Sequence, residues 1–193
     1  MNIKNQATRK KKFLVVRNED NSVNINDTLF DQRHIFVNDA ITSEHADDVI
    51  KQLLVLDMVS NDPIQMYINS PGGLVDWGFA IIDVMRTIQS KVITIANGTV
   101  ASMGTLISIA GDERKCFKNT TFMFHDMFSG VVDYSQKMKA RLNYTEKLYT
   151  KLETHIMTCT KLTKKDVQLS RNEELWVFAD EAVKKGLVDI VIG

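Results

Sequence analysis

The residues Val92-Ile-Thr-Ile-Ala-Asn-Gly-Thr-Val-Ala-Ser-Met-Gly104 decide how the chain is read. Residues 92–96 are an apolar, largely β-branched run of strand length. Gly98 and the small residues after it turn the chain, and the apolar run from Met103 to Ala110 reads as a buried helix. A strand that passes through a tight turn into a buried helix is a repeating unit of α/β domains. Ser102 stands where that helix opens. A serine there is ordinarily an N-cap, its hydroxyl accepting from the first turn. It is also where a nucleophile gains most, because unpaired N–H groups and the positive end of the helix favour an anion forming beside the hydroxyl.

Working outward, residues 64–69 form a strand, and Ser70-Pro-Gly-Gly73 ends it before a helix with Val75, Phe79, Ile82, Met85 and Ile88 on one face. Two glycines after a proline let the backbone turn sharply and approach another group. The loop is either a tight strand-to-helix turn or one that also presents an amide. Downstream, Thr121-Phe-Met-Phe-His125-Asp126 reads as a buried strand with a histidine at its end, where sites are commonly built. His34, His45 and His155 lie in polar or amphipathic contexts, which leaves His125 as the histidine best placed for a general base.

The remaining chain continues the alternation. Residues 1–28 read as a polar N-terminal tail with a short strand at 13–16 and turn chemistry at 18–22. Residues 33–37 are a strand; Thr42 or Ser43 then caps a helix carrying Ala46, Val49, Ile50, Leu53 and Leu54, which Asn61-Asp-Pro63 ends. After His125 come an extended segment at 128–133 and a long polar helix from Tyr134 to about Thr158. Its apolar stripe is Met138, Leu142, Leu148, Leu152 and Met157, which packs on the parent domain or, if the helix protrudes, on a partner chain. A short helix at 163–169, a strand at 176–178, a helix capped by Asp180 and closed by Gly186, and a last strand at 187–192 complete a single α/β domain over 29–193.

Bulk properties narrow the class. With 44% hydrophobic and 25% charged residues in 193, the chain is an ordinary soluble domain large enough for a sizeable core. A net charge of zero argues against nucleic acid, and Arg9-Lys-Lys-Lys12 is short enough to be a solvated tail. Cys116 and Cys159 lack any zinc or disulfide spacing, so no metal or cofactor is expected and reduced thiols suit the cytoplasm. No apolar run reaches membrane-spanning length, and the N-terminus lacks a signal-peptide core.

Four blocks, Asn69-Ser-Pro-Gly-Gly73, Gly98-Thr-Val-Ala-Ser-Met-Gly104, Phe124-His125 and Glu181-Ala-Val-Lys-Lys-Gly-Leu-Val-Asp189, resemble in order and spacing the Clp protease proteolytic subunits, the ClpP peptidase family. The resemblance runs from about residue 29 to 192. It implies the ClpP/crotonase-type spiral of repeated strand–helix units, with a protruding handle strand and long helix at about 126–159 and axial loops from the N-terminal region. It implies Ser102 as nucleophile, His125 as general base, and the N–H groups of Gly73 and Met103 as oxyanion hole. It further implies two stacked heptameric rings, of one chain or mixed with a paralogue, supplied with unfolded polypeptides by an AAA+ unfoldase ATPase. Serine before histidine excludes the chymotrypsin and subtilisin orders, and Val100 excludes the Gly-x-Ser-x-Gly elbow of α/β-hydrolases.

One position departs from the pattern. In the resembled family an Asp orients the histidine, and Ser170 occupies its place here. A serine can accept the ring N–H but brings no charge to an imidazolium. Asn172, Glu173 and Asp126 are the alternatives nearby. Two readings follow: a serine endopeptidase with a weakened or alternative triad, and a catalytically silent ring subunit beside an active paralogue. An acyl-CoA enzyme on the related spiral fold is a third, with no CoA-binding feature in its favour.

Overall fold

Residues 15–18, 21–127 and 135–193 are described by a computed structural model. The chain opens with β1 (Val15–Asn18) paired antiparallel to β2 (Asn21–Asn24), followed by α1 (Ile25–Asp31), whose first turn is capped by the Asn24 side chain. Then come β3 (His34–Val37), α2 (Ser43–Val59), β4 (Ile64–Ile68), α3 (Val75–Thr87), β5 (Val92–Ala96), β6 (Thr99–Ala101) and α4 (Met103–Ser108). The second half holds β7 (Glu113–Phe117), β8 (Thr121–Phe124), α5 (Ser135–Cys159), α6 (Lys164–Asn172), β9 (Leu175–Phe178), α7 (Ala179–Ala182) and β10 (Ile190–Ile192).

Five strands form one parallel sheet in the order β10-β7-β5-β4-β3. A second sheet, β6-β8-β9, pairs β6 parallel and β9 antiparallel to β8. This is the expected α/β fold with a parallel sheet and covering helices. Burial explains the sequence pattern: Ile64, Met66 and Ile68 of β4 are buried with Gln65 and Tyr67 half-buried between them, and Ala46, Val49, Leu53 and Leu56 of α2 face the core. Thr42 accepts from the His45 N–H at 3.1 Å and caps α2, settling the choice between Thr42 and Ser43.

Several expectations need correction. The limit drawn after residue 28 falls within α1, and where a single strand was expected at 13–16 two strands, 15–18 and 21–24, pair with each other; residues 13 and 14 lie outside the described residues. β6 and β7 were not anticipated. The extended segment at 128–133 lies outside the described residues. On α5 the buried residues are Tyr149, Leu152, His155 and Ile156, with Leu148 packed partly against them, whereas Met138, Leu142 and Met157 are exposed. Asp180 is not a cap: α7 starts directly after Phe178 and ends at Ala182, and the last strand is confined to 190–192. Gly186 adopts φ +73, the left-handed turn that a glycine permits.

Cys116 is buried and Cys159 half-buried, and both are free thiols. Loss of hydration pushes the Cys116 thiol up to about 11, which leaves it unreactive at neutral pH. His155, buried on α5, lies beneath α4. Its Nε2 is 2.9 Å from the Leu106 carbonyl and its Nδ1 3.1 Å from Arg86 Nη2, so the neutral ring donates from Nε2 and accepts at Nδ1. Burial depresses its pKa, with Arg86 and Lys151 adding to the effect against the Leu106 bond and Asp83. Because the unfolded chain then binds more protons than the native one, stability is full above the ordinary value of about 6.5 and declines as pH falls below it. The melting temperature should therefore drop on acidification through that window, and a thermal series on His155→Gln should show a shallower slope.

Candidate active site

The turn between β6 and α4 forces Ser102 into an unusual backbone. It has φ +52 and ψ −125, one of two non-glycine residues with positive φ among those described. Such a conformation costs about 1–3 kcal/mol and persists only where neighbours hold it. Here the Ala101 N–H donates to the Ser70 carbonyl and the Ser102 N–H to the Met123 carbonyl, both at 2.8 Å, while Thr105 Oγ1 donates to the Val100 carbonyl at 2.7 Å. The Ser102 side chain makes no capping bond to α4, so the N-cap reading of this residue fails.

The Pro71–Gly73 turn lies directly against it. A Cβ on Gly72 would stand 2.6 Å from Ser102 Cβ and 2.8 Å from the Met103 nitrogen, and one on Gly104 would stand 2.9 Å from the Ser70 carbonyl oxygen. The two turns thus pack backbone to backbone, which only glycine allows. Ile41 fixes the loop from the other side: its N–H donates to the Gly72 carbonyl and its carbonyl accepts from the Leu74 N–H, each at 2.8 Å. Between these bonds the Gly73 N–H has no acceptor among the described residues, and neither has the Met103 N–H at the start of α4.

His125 follows β8, is exposed, and borders the same cavity as Ser102, Gly73 and Met103. That cavity measures about 590 Å³. Its walls include Val75, Met103 and Leu106 and, from α5, Leu148, Leu152 and Ile156. The Tyr144 hydroxyl joins α5 to α3, donating to both Asp76 oxygens at 3.0 and 3.1 Å, and this bond to a carboxylate raises the Tyr144 pKa.

Ser170 reaches the cavity from α6 and is buried. Its hydroxyl donates to the Val167 carbonyl at 2.8 Å, so it can offer an imidazole only its lone pairs. Of the three alternatives, only Asp126 also lines the cavity. It is already engaged, accepting from the Met127 N–H at 2.8 Å and lying 3.8 Å from Arg171 Nε; Arg171 in turn stacks on the Tyr149 ring. Asn172 and Glu173 do not border the cavity. Among the described residues no hydrogen bond joins Ser102, His125 and Ser170 to one another; catalytic hydrogen bonds are often long before substrate binds. No group of three or more His, Cys, Asp or Glu among the described residues could hold a metal.

The sequence reading missed the contribution of α5, whose Tyr149 and Glu153 border the cavity. The signal for it was the i, i+4 series Leu148, Leu152 and Ile156, with Tyr149 and Glu153 beside it on the same face. A hydroxyl on a strained turn, an imidazole bordering the same cavity and two N–H groups without acceptors among the described residues are the parts that acyl transfer requires.

Comparison with known proteins gives the family to which the chain is similar. The family described as Clp protease matches residues 17–193. "ATP-dependent Clp protease proteolytic subunit 2" of Pseudomonas aeruginosa is 35% identical over 162 residues, covering 83% of this chain and 81% of the relative. The protein of the same description from Treponema pallidum is 34% identical, with 83% and 82% covered. "ATP-dependent Clp protease proteolytic subunit 3" of Rhizobium meliloti is 32% identical, with 85% of each chain covered.

Proposed function

The chain belongs to the Clp protease family, and from that premise we propose that it is a serine endopeptidase subunit that cuts unfolded polypeptides into short peptides through an acyl-enzyme. The observation that carries the reading is Ser102: a positive-φ residue whose hydroxyl leaves its helix uncapped and shares a cavity with His125. In this reading Ser102 Oγ attacks the peptide carbonyl while His125 takes its proton. The oxyanion is held by the Gly73 and Met103 N–H groups, His125 returns the proton to the leaving amine, and water releases the acyl group. The relatives' description as proteolytic subunits of an ATP-dependent protease supports an AAA+ ATPase that unfolds the substrate. A spiral domain with a handle at about 126–159, two stacked seven-membered rings and a cytoplasmic setting complete the proposal. Among the described residues no helix is long and apolar enough to cross a membrane.

One observation favours a second reading. Ser170 stands where the family pattern has the acid, with its proton committed to Val167, and this suits a weak or silent subunit that assembles with an active paralogue. A fluorophosphonate probe separates the two. Labelling that maps to Ser102, vanishes in Ser102→Ala and slows in His125→Ala is the expected result for the assembled protein. An assembled ring that takes no label would establish the silent subunit instead.

A further inference from the structure

The face of α5 toward the cavity includes Tyr144, Leu148, Tyr149, Leu152, Glu153 and Ile156, and Glu153 is its one charged residue among those described. Its Oε1 is buried without a hydrogen-bond partner among the described residues, and none of them forms an ion pair with it. A carboxylate oxygen removed from water and left unpaired is costly unless something else supplies the donor. Among the described residues no lysine or arginine of the cavity wall supplies one. Asp76, Asp126 and Glu153 all border the cavity. Asp126 faces Arg171 and Asp76 accepts from Tyr144, whereas Oε1 of Glu153 has no partner among the described residues, beside Leu152 and Ile156.

We propose that Glu153 makes this cavity a pocket for a basic side chain, lysine or arginine, on the substrate residue whose carbonyl Ser102 attacks. The aliphatic stem of such a side chain lies along Met103, Leu106, Leu152 and Ile156, and its cationic head reaches Glu153. A carboxylate in the side-chain pocket is what selects a basic residue in trypsin-like specificity, and of the three carboxylates here Glu153 is the one whose buried oxygen has no partner among the described residues. An unbranched apolar side chain would fill the same walls but leave the carboxylate unpaired, and this penalty creates the discrimination. The proposal rests on Ser102 being the nucleophile.

The test compares kcat/KM for two fluorogenic tripeptides that differ only in arginine or leucine before the scissile bond, using the full chain and Glu153→Gln. The wild type should favour arginine by about tenfold or more, and Glu153→Gln should lower the arginine-to-leucine ratio about 10- to 100-fold. The ratio is the readout, because partial misfolding lowers both rates together. A wild-type preference for leucine, or a ratio that Glu153→Gln leaves unchanged, overturns the proposal. If neither peptide is cut, the reading of Ser102 has failed separately, and binding decides the pocket. Calorimetric titration of Ser102→Ala with N-acetylarginine amide and N-acetylleucine amide should then show tighter arginine binding that is lost when Glu153→Gln is added. Equal binding of the two amides overturns it.

Discussion

Replacing Ser170 by aspartate is expected to raise kcat/KM for a small peptide by about two to three orders of magnitude. In the best-studied serine protease triad, exchanging the acid for its neutral amide lowers the rate about ten-thousandfold, because the wrong imidazole tautomer is held and the imidazolium loses its counter-charge. Here the third position is already neutral, so the same physics runs in reverse. The full factor is not expected, since Ser170 is buried on α6 and an aspartate must forgo the present bond to the Val167 carbonyl. The pH profile adds an independent sign. A carboxylate beside His125 favours the protonated ring and raises its pKa, and the base must be neutral to act, so the acid limb of kcat/KM should move to higher pH. Ser170→Asn keeps the size without the charge and should give neither effect. Measuring both variants over pH decides the matter: an inactive, well-folded Ser170→Asp would mean that this position does not orient His125.

Ser170 was legible in the sequence as a departure, whereas its consequence needed the structure. The same division runs through the fold. Periodicity revealed β4, β5, β8, α2 and α3 because their apolar residues fall at spacings of two or of three to four, and the Pro71-Gly72-Gly73 turn was plain from residue type. β7 was hidden by its own composition. Glu113, Arg114 and Lys115 are three charged residues in succession with no apolar alternation to mark a strand, yet the strand sits between β5 and β10. Arg114 is tolerated there because it pairs with Asp189 at 2.6 Å and donates to the carbonyls of Cys159 and Gly186, partners that are 45 to 75 residues away and invisible to any local rule. Asp189 is held below its ordinary pKa by the same contact. The α5 wall of the cavity was missed for a related reason. Its stripe was visible, but which residues of a long polar helix meet the core depends on how the helix lands, and it buries His155 and Ile156 where Met157 was expected.

Gly73→Ala should reduce peptide turnover by about 10²- to 10³-fold, the range seen when one oxyanion donor is removed. The argument starts from the backbone. Gly73 has φ +149, a region that L residues rarely adopt, and a Cβ there would run into the backbone of Ile41. Ile41 cannot yield readily, because its N–H and carbonyl bond Gly72 and Leu74 on either side of the glycine and it is itself buried. The alanine must therefore push the loop away from Ile41, and strain of about 1–3 kcal/mol is expected to appear as a lower melting temperature. Any such shift moves the Gly73 N–H, and an oxyanion donor is effective only within about 3 Å of the developing charge. Turnover and fold must be read together. Circular dichroism at a temperature well below the melting transition reports whether the variant is folded, and lost turnover in that folded protein assigns the loss to the displaced donor. A folded Gly73→Ala that retains full turnover would show that this N–H does not hold the oxyanion, and Met103 alone would then remain as the backbone donor beside Ser102.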